Sequence, residues 1–313
     1  MLIEIFLPLL MGGALLAGGG EALVRGSAGT ARRLGLAPVV IGVLLIGFGT
    51  STPELLTSVE AARLGAPDIA LGNALGSNTC NVLLIGGLAA IIAPMTVHKD
   101  AFRFDLWIAV TVAVTLALAM VAGPLTPMLG ALFLLSLAVY ALVALSVGAS
   151  SAGGPQDTGA HGDEIAPVLW RSLAIALVGL VAALLGARLF VEGAVEIARL
   201  FDVSEAVIGA SIVAVGTSLP ELATSIMAAR RGQSELALGN IIGSNIFNIL
   251  GVIGATLMVG EIAPSSEALL RDLPAMLAAT AALVVVILVL GRMSRAIGIA
   301  LLAGYGLYLA VML

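Results

Sequence analysis

Charge is scarce in this chain: Asp, Glu, Lys and Arg make up 11% of its 313 residues. A soluble domain carries about 25%, so too little polar surface remains for a water-soluble globule or a disordered chain. A net charge of -5 disfavours a nucleic-acid binder as well, since that role needs a basic face. There is one cysteine, Cys80, which excludes a disulfide framework and any Cys-cluster metal site. Of the two histidines, His98 falls at a span end and His161 in a linker, so no His/Cys set exists for zinc, copper or iron.

What remains is apolar, 60% of the chain. About 20 apolar residues cross a bilayer, and ten such segments are present: about 2–24, 36–63, 68–93, 105–122, 126–148, 167–199, 203–230, 235–260, 272–291 and 295–312. The first carries Glu4 and no basic residue ahead of it, so it reads as a retained span, not a signal peptide. The expectation is an all-α polytopic membrane protein of about ten transmembrane helices, with the lipid bilayer as its one inferable partner. Residues 1–147 form a first five-helix unit, 148–166 a short Gly/Ser/Asp-rich cytoplasmic linker, and 167–313 a second unit. Counting loops from the N-terminus, the odd ones hold ten Lys and Arg against three in the even ones. That bias places odd loops in the cytoplasm and both termini outside, in the inner (plasma) membrane of a prokaryote.

The halves are related. Val40–Asn81 aligns on Val207–Asn248 without a gap, with about 23 of 42 positions identical. GTSTPELLTS (49–58) matches GTSLPELATS (216–225), and ALGNALGSNTCN (70–81) matches ALGNIIGSNIFN (237–248). A duplicated unit with an odd span count produces an inverted repeat, the architecture of many secondary transporters.

Within the repeats, Glu54 and Glu221 fall mid-span. A charge there costs a few kcal/mol or more and must face a cavity, a partner or an ion. No Lys or Arg lies at comparable depth in either block; Arg188 is the only other candidate, and Glu192 and Glu196 follow it on nearby turns. Pro53 removes a backbone donor and clashes with the Gly49 carbonyl, so the spacing predicts two half-helices with Glu54 in the first turn of the second. Carbonyls around Gly47, Thr50, Ala214 and Thr217 are then free to line a cavity. The following segments add Asn73, Ser77, Asn78 and Asn81, mirrored by Asn240, Ser244, Asn245 and Asn248. Carboxylate, amide, hydroxyl and carbonyl oxygens suit Ca2+, which takes six to eight of them, and Na+ equally. Gly72, Gly76, Gly239, Gly243, Thr57, Ser58, Thr224 and Ser225 read as close-packing residues. No enzyme activity is expected: Ser51 and Ser218 lack a His or Asp partner at their depth.

The two paired blocks resemble the alpha-repeats of the cation/Ca2+ exchanger superfamily, above all its prokaryotic sodium/calcium exchangers. The resemblance implies ten helices, with spans 2, 3, 7 and 8 around four ion sites and spans 1 and 6 sliding past them. It implies a central Ca2+ site on Glu54 and Glu221 with the carbonyls of Thr50 and Thr217. Sodium sites would fall on Gly47, Thr50, Ser51 and Ser77 on one side, and on Ala214, Thr217, Ser218 and Ser244 on the other. Asn81 and Asn248 would complete the middle. Some relatives carry Asp where this chain has Asn248, which weakens the case for potassium co-transport. The expected function is Na+/Ca2+ antiport by alternating access, with H+/Ca2+ or broader cation antiport as the alternative. Ca2+ and Na+ are the transported ions, and no cofactor and no protein partner are inferred.

Overall fold

The computed structural model describes residues 2–151, 168–203, 212 and 214–312. The chain is almost wholly helical. Helix α1 is Leu2–Leu34; α2 (Pro38–Thr50) and α3 (Thr52–Arg63) form a bent pair; α4 is Pro67–Ile92 and α5 Lys99–Ala122. Helix α6 runs Pro127–Ser151 and α7 Leu169–Leu200. A helical turn, Ala214–Gly216, precedes α8 (Leu219–Arg230); α9 is Ser234–Leu257, α10 Ala268–Leu290 and α11 Arg295–Met312. Among the described residues, seven helices are long and apolar enough to cross a membrane, or eight if α2 and α3 count as one span. Helix α11 is a shorter apolar helix. Most of the 148–166 linker and the start of the 203–230 segment lie outside the described residues.

Burial sorts these helices. Helix α9 is 94% buried over its apolar window, whereas Pro127–Gly148 of α6 is only 22% buried. An apolar helix whose surface is left uncovered by protein is a lipid-facing one, and a fully covered one is central. Helix α9 packs against α2, α8, α5 and α6, so the second GN block lies at the centre of the bundle.

Between apolar helices in lipid, burial supplies little drive, and close backbone approach supplies the contact. Helices α1 and α7 show this most clearly. Gly12, Gly19 and Gly26 recur every seven residues on α1 and meet Gly186, Gly179 and Ser172 on an antiparallel α7. A Cβ on Gly19 would lie 2.5 Å from the Ala183 backbone nitrogen, and one on Gly186 would lie 2.6 Å from that of Leu16. In the bundle centre, Gly239 and Gly243 face the backbone of Val39 and Val43, as their close-packing assignment requires. Gly72 and Gly76 meet no described backbone so closely. Positions 206 and 210, the repeat mates of Val39 and Val43, lie outside the described residues.

Two short contacts tie loops together. Met95–Thr96 (β1) pairs antiparallel with Arg292–Met293 (β2), and Leu125 bridges to Ile262. Arg231 makes a two-pronged ion pair with Glu21, with Nε to Oε2 at 2.7 Å, fastening the α8–α9 loop to α1. Arg188, the basic residue inside a span, points away from the bundle centre: its side chain is 78% exposed and pairs with Glu192 at 2.9 Å. It therefore does not pair with Glu54 or Glu221.

Candidate ion-binding site

The break between α2 and α3 comes from Pro53. Ser51 leaves helical geometry at φ -81°, ψ 12°, and the axis bends by 42°. The Gly49 carbonyl, deprived of its usual donor by Pro53, accepts the Thr52 hydroxyl at 2.8 Å. The second repeat breaks the same way: Ser218 sits at φ -89°, ψ 7°, with Pro220 in the first turn of α8. Leu219 has no hydroxyl with which to repeat the Thr52 contact. Both breaks place a glutamate, Glu54 or Glu221, in a helix first turn, where the amide dipoles favour negative charge.

Each glutamate is held by the opposite repeat. Ser51 Oγ donates to Glu221 Oε1 at 2.9 Å, and Ser218 Oγ donates to Glu54 Oε1 at 3.3 Å. Both carboxylates are 1% exposed. Their other oxygens, Glu54 Oε2 and Glu221 Oε2, are buried without a hydrogen-bond partner. Asn81 Oδ1 and Asn248 Oδ1 are in the same condition. These four belong to the residues that the repeat pattern singles out. A buried, unpartnered oxygen costs about 1–3 kcal/mol, more when charged, and here four of them fall on repeat-related residues.

Two amide nitrogens brace the backbone beside the glutamates. Asn73 Nδ2 donates to the Glu54 carbonyl at 3.3 Å and to Ser58 Oγ at 2.9 Å. Asn240 Nδ2 does the same for the Glu221 carbonyl at 3.2 Å and Ser225 Oγ at 2.8 Å. Ser58 and Ser225 thus act as hydrogen-bond acceptors for these braces as well as packing residues. Thr224 bonds back to the Pro220 carbonyl at 2.7 Å, while Thr57 is exposed and does not serve packing. The signal for the braces was present in the sequence, since both asparagines follow their glutamate by 19 positions.

The remaining candidate residues fall around this centre. Thr50 is fully buried, and its hydroxyl lies 3.0 Å from the Ile46 carbonyl and 3.2 Å from Asn240 Oδ1. Ser77 and Ser244 are buried on α4 and α9. Thr217 is half-buried beside the second break, and Ala214 opens the helical turn before it. Ser244 Oγ donates to the Gly47 carbonyl at 3.1 Å, joining flanking residues that belong to opposite repeats. The reason is the packing of α2 directly on α9, which interleaves the two sets. Asn81 and Asn248 also open wide π-helical turns, Asn81–Ile85 and Asn248–Ile253. Such turns recur at functional positions.

Sequence reasoning passed over one buried polar pair: Tyr140 OH donates to Asp105 Oδ1 at 2.6 Å. Asp105 lines a cavity of about 320 Å³ with Val40, Phe104 and Glu235. Neither residue belongs to a repeated block, so no pattern marked them. Cys80 is buried and free. Among the described residues, no group of three or more His, Cys, Asp or Glu side chains could hold a metal ion.

A helical membrane bundle with breaks at two buried glutamates defines the class: a polytopic membrane protein built around an oxygen-lined centre. Its sequence matches the profile of the sodium/calcium exchanger protein family over residues 5–146 and 171–313, and the chain belongs to that family. It is 38% identical to the putative antiporter CaxA of Alkalimonas amylolytica, covering 91% of this chain and 90% of that one. It is 29% identical to the sodium/calcium exchanger MaX1 of Methanosarcina acetivorans, covering 98% of each. The structure of the sodium-calcium exchanger NCX_Mj, soaked with 10 mM Na+ and zero Ca2+, superimposes with a TM-score of 0.86 at 32% identity, covering 99% of both chains.

Proposed function

We propose that this protein is a secondary active antiporter that exchanges Na+ for Ca2+ by alternating access. The observation that carries the reading is the set of four buried, unpartnered oxygens on Glu54, Glu221, Asn81 and Asn248. Two carboxylates bring a charge of -2, which one Ca2+ or two Na+ neutralise. Enclosing an uncompensated charge in a low-dielectric interior costs several kcal/mol, so the unloaded centre resists occlusion. Ca2+ and Na+ then compete for the same carboxylates, and uncoupled return is penalised. That is the physical basis of obligatory exchange.

In this reading the ions bind at mid-membrane, Ca2+ on Glu54 and Glu221 with the Thr50 and Thr217 carbonyls. Na+ draws on Gly47, Ser51, Ser77, Ala214, Ser218 and Ser244. Ten spans form two inverted repeats, 1–147 and 167–313, joined by the 148–166 linker, with odd loops cytoplasmic and both termini outside. The loop contacts support this alternation: β1 and β2 lie in the third and ninth loops, and Leu125 and Ile262 in the fourth and eighth. Each contact pairs loops that an alternating ten-span chain places on one face.

Calcium uptake into sodium-loaded vesicles containing the purified protein tests the reading. Uptake is expected to collapse when the sodium gradient is dissipated. Uptake indifferent to sodium and driven by a pH gradient would overturn it in favour of H+/Ca2+ exchange.

A further inference from the structure

The two ends of an asparagine amide have nearly the same shape and opposite polarity, so shape alone does not decide which end faces an ion. Asn81 and Asn248 present oxygen to the centre of this protein, and the structure holds a reason. Asn81 Nδ2 donates to Asn245 Oδ1 at 3.0 Å, and Asn248 Nδ2 donates to Asn78 Oδ1 at 3.1 Å. Asn78 Nδ2 in turn donates to the Asn245 main-chain carbonyl at 3.1 Å, and Asn245 Nδ2 to that of Asn78 at 3.5 Å. All four residues are buried, with Asn245 the most exposed at 6%.

The polarity of this network is rooted where it is unambiguous. A main-chain carbonyl only accepts, so the Asn78 and Asn245 amides must turn their nitrogens toward it. Their Oδ1 atoms are then left facing Asn248 and Asn81, whose nitrogens must donate. The last atoms in each chain are Asn248 Oδ1 and Asn81 Oδ1, the oxygens with no protein partner. Reversing either terminal amide would set two acceptors against each other and turn an NH2 toward the cation. The geometry points to Asn78 and Asn245 as positioning residues that hold the Asn248 and Asn81 amides oxygen-inward, each acting across the repeat interface. The assignment rests on Asn81 and Asn248 donating oxygen to the transported ion, as the exchange reading has it.

The arrangement also accounts for amides at the two middle positions. An ionised carboxylate in place of Asn81 or Asn248 has no hydrogen to give to the Oδ1 opposite it. The orienting bond and a neutral oxygen donor therefore come from the same side chain.

Calcium binding to the purified full-length protein in detergent, measured by calorimetry, tests the assignment through a double-mutant cycle. Asn245→Leu and Asn81→Leu are each expected to weaken Ca2+ binding about tenfold, and the double variant to bind within about twofold of the weaker single one. Asn78→Leu with Asn248→Leu is the mate cycle and should behave alike. Losses that multiply to about a hundredfold in the double variant would overturn the proposal, as would unchanged affinity in Asn245→Leu. If both Asn245→Leu and Asn78→Leu fail to yield folded protein, the pair is structural and the proposal falls. A wild-type protein that binds no Ca2+ would instead overturn the exchange reading itself.

Discussion

Ser51 Oγ donates to Glu221 Oε1 at 2.9 Å although 170 positions separate them. Ser218 and Glu54 repeat the contact in mirror fashion at 3.3 Å. Each half of the chain thus supplies the hydrogen that steadies the other half's carboxylate. One oxygen of each glutamate is occupied in this way, and the other is buried with no hydrogen-bond partner. Each glutamate therefore depends on the opposite repeat for its hydroxyl donor.

Glu54→Gln or Glu221→Gln is expected to abolish sodium-dependent Ca2+ uptake. Each removes half of the charge that neutralises Ca2+ and should weaken binding by roughly 2 kcal/mol or more, about 30-fold. Vesicle flux and calorimetry check this together. Near-normal uptake by either variant would remove that residue from the site.

Ser51→Ala deletes a donor without touching charge. A hydrogen bond to a charged group is worth about 1.5–3 kcal/mol, so Ca2+ affinity should shift by about tenfold or more. Ser218→Ala, which breaks the longer of the two bonds, should have the smaller effect. Equal affinity in wild type and Ser51→Ala would show that the contact does not steady Glu221.

Asn248→Asp should change the pH profile of Ca2+ transport. Its protonated form keeps a donor for Asn78 Oδ1, 3.1 Å away in the wild type. The ionised form sets two oxygens against each other there and adds a third negative charge to the centre. Transport measured across a pH series should depart from wild type several-fold at one end. A superimposable profile would place Asn248 away from the ion.

Gly18 and Gly19 are neighbours on α1 with opposite surroundings. A Cβ on Gly19 would lie 2.5 Å from the Ala183 backbone nitrogen, whereas one on Gly18 meets no described atom within 4 Å. Gly19→Ala should lower the thermal midpoint in detergent by the equivalent of about 1–3 kcal/mol, because backbone cannot step aside as a side chain can. Gly18→Ala should be neutral or slightly stabilising, by up to about 1 kcal/mol, since alanine favours helix. Equal midpoints for the two variants would contradict the α1–α7 packing.

Much of the site was legible before any coordinates. Glu54 and Glu221 stood out because charge at mid-span is costly, and the gapless repeat multiplied that signal. Pro53 marked its helix break through local sterics, which depend on nearest neighbours. Asn81 and Asn248 were singled out by type and register. The pairing of Ser244 with Gly47 was not legible, because which helix lies against which depends on backbone approach at Gly239 and Gly243. The Asp105–Tyr140 pair escaped for a similar reason: neither residue belongs to a repeated block, and their meeting is a matter of α5 lying beside α6.

By itself the sequence determined that this is a membrane protein, where its helices break, and which few polar groups are placed where lipid would not tolerate them. Those are consequences of composition and of local covalent geometry, and they need no partner residue. The tertiary structure decided that each glutamate is steadied by the other repeat, and which end of each asparagine is bonded across the repeats. Hydrogen bonds are directional and short, so their pattern exists only once residues 160 or more positions apart have been brought within about 3 Å.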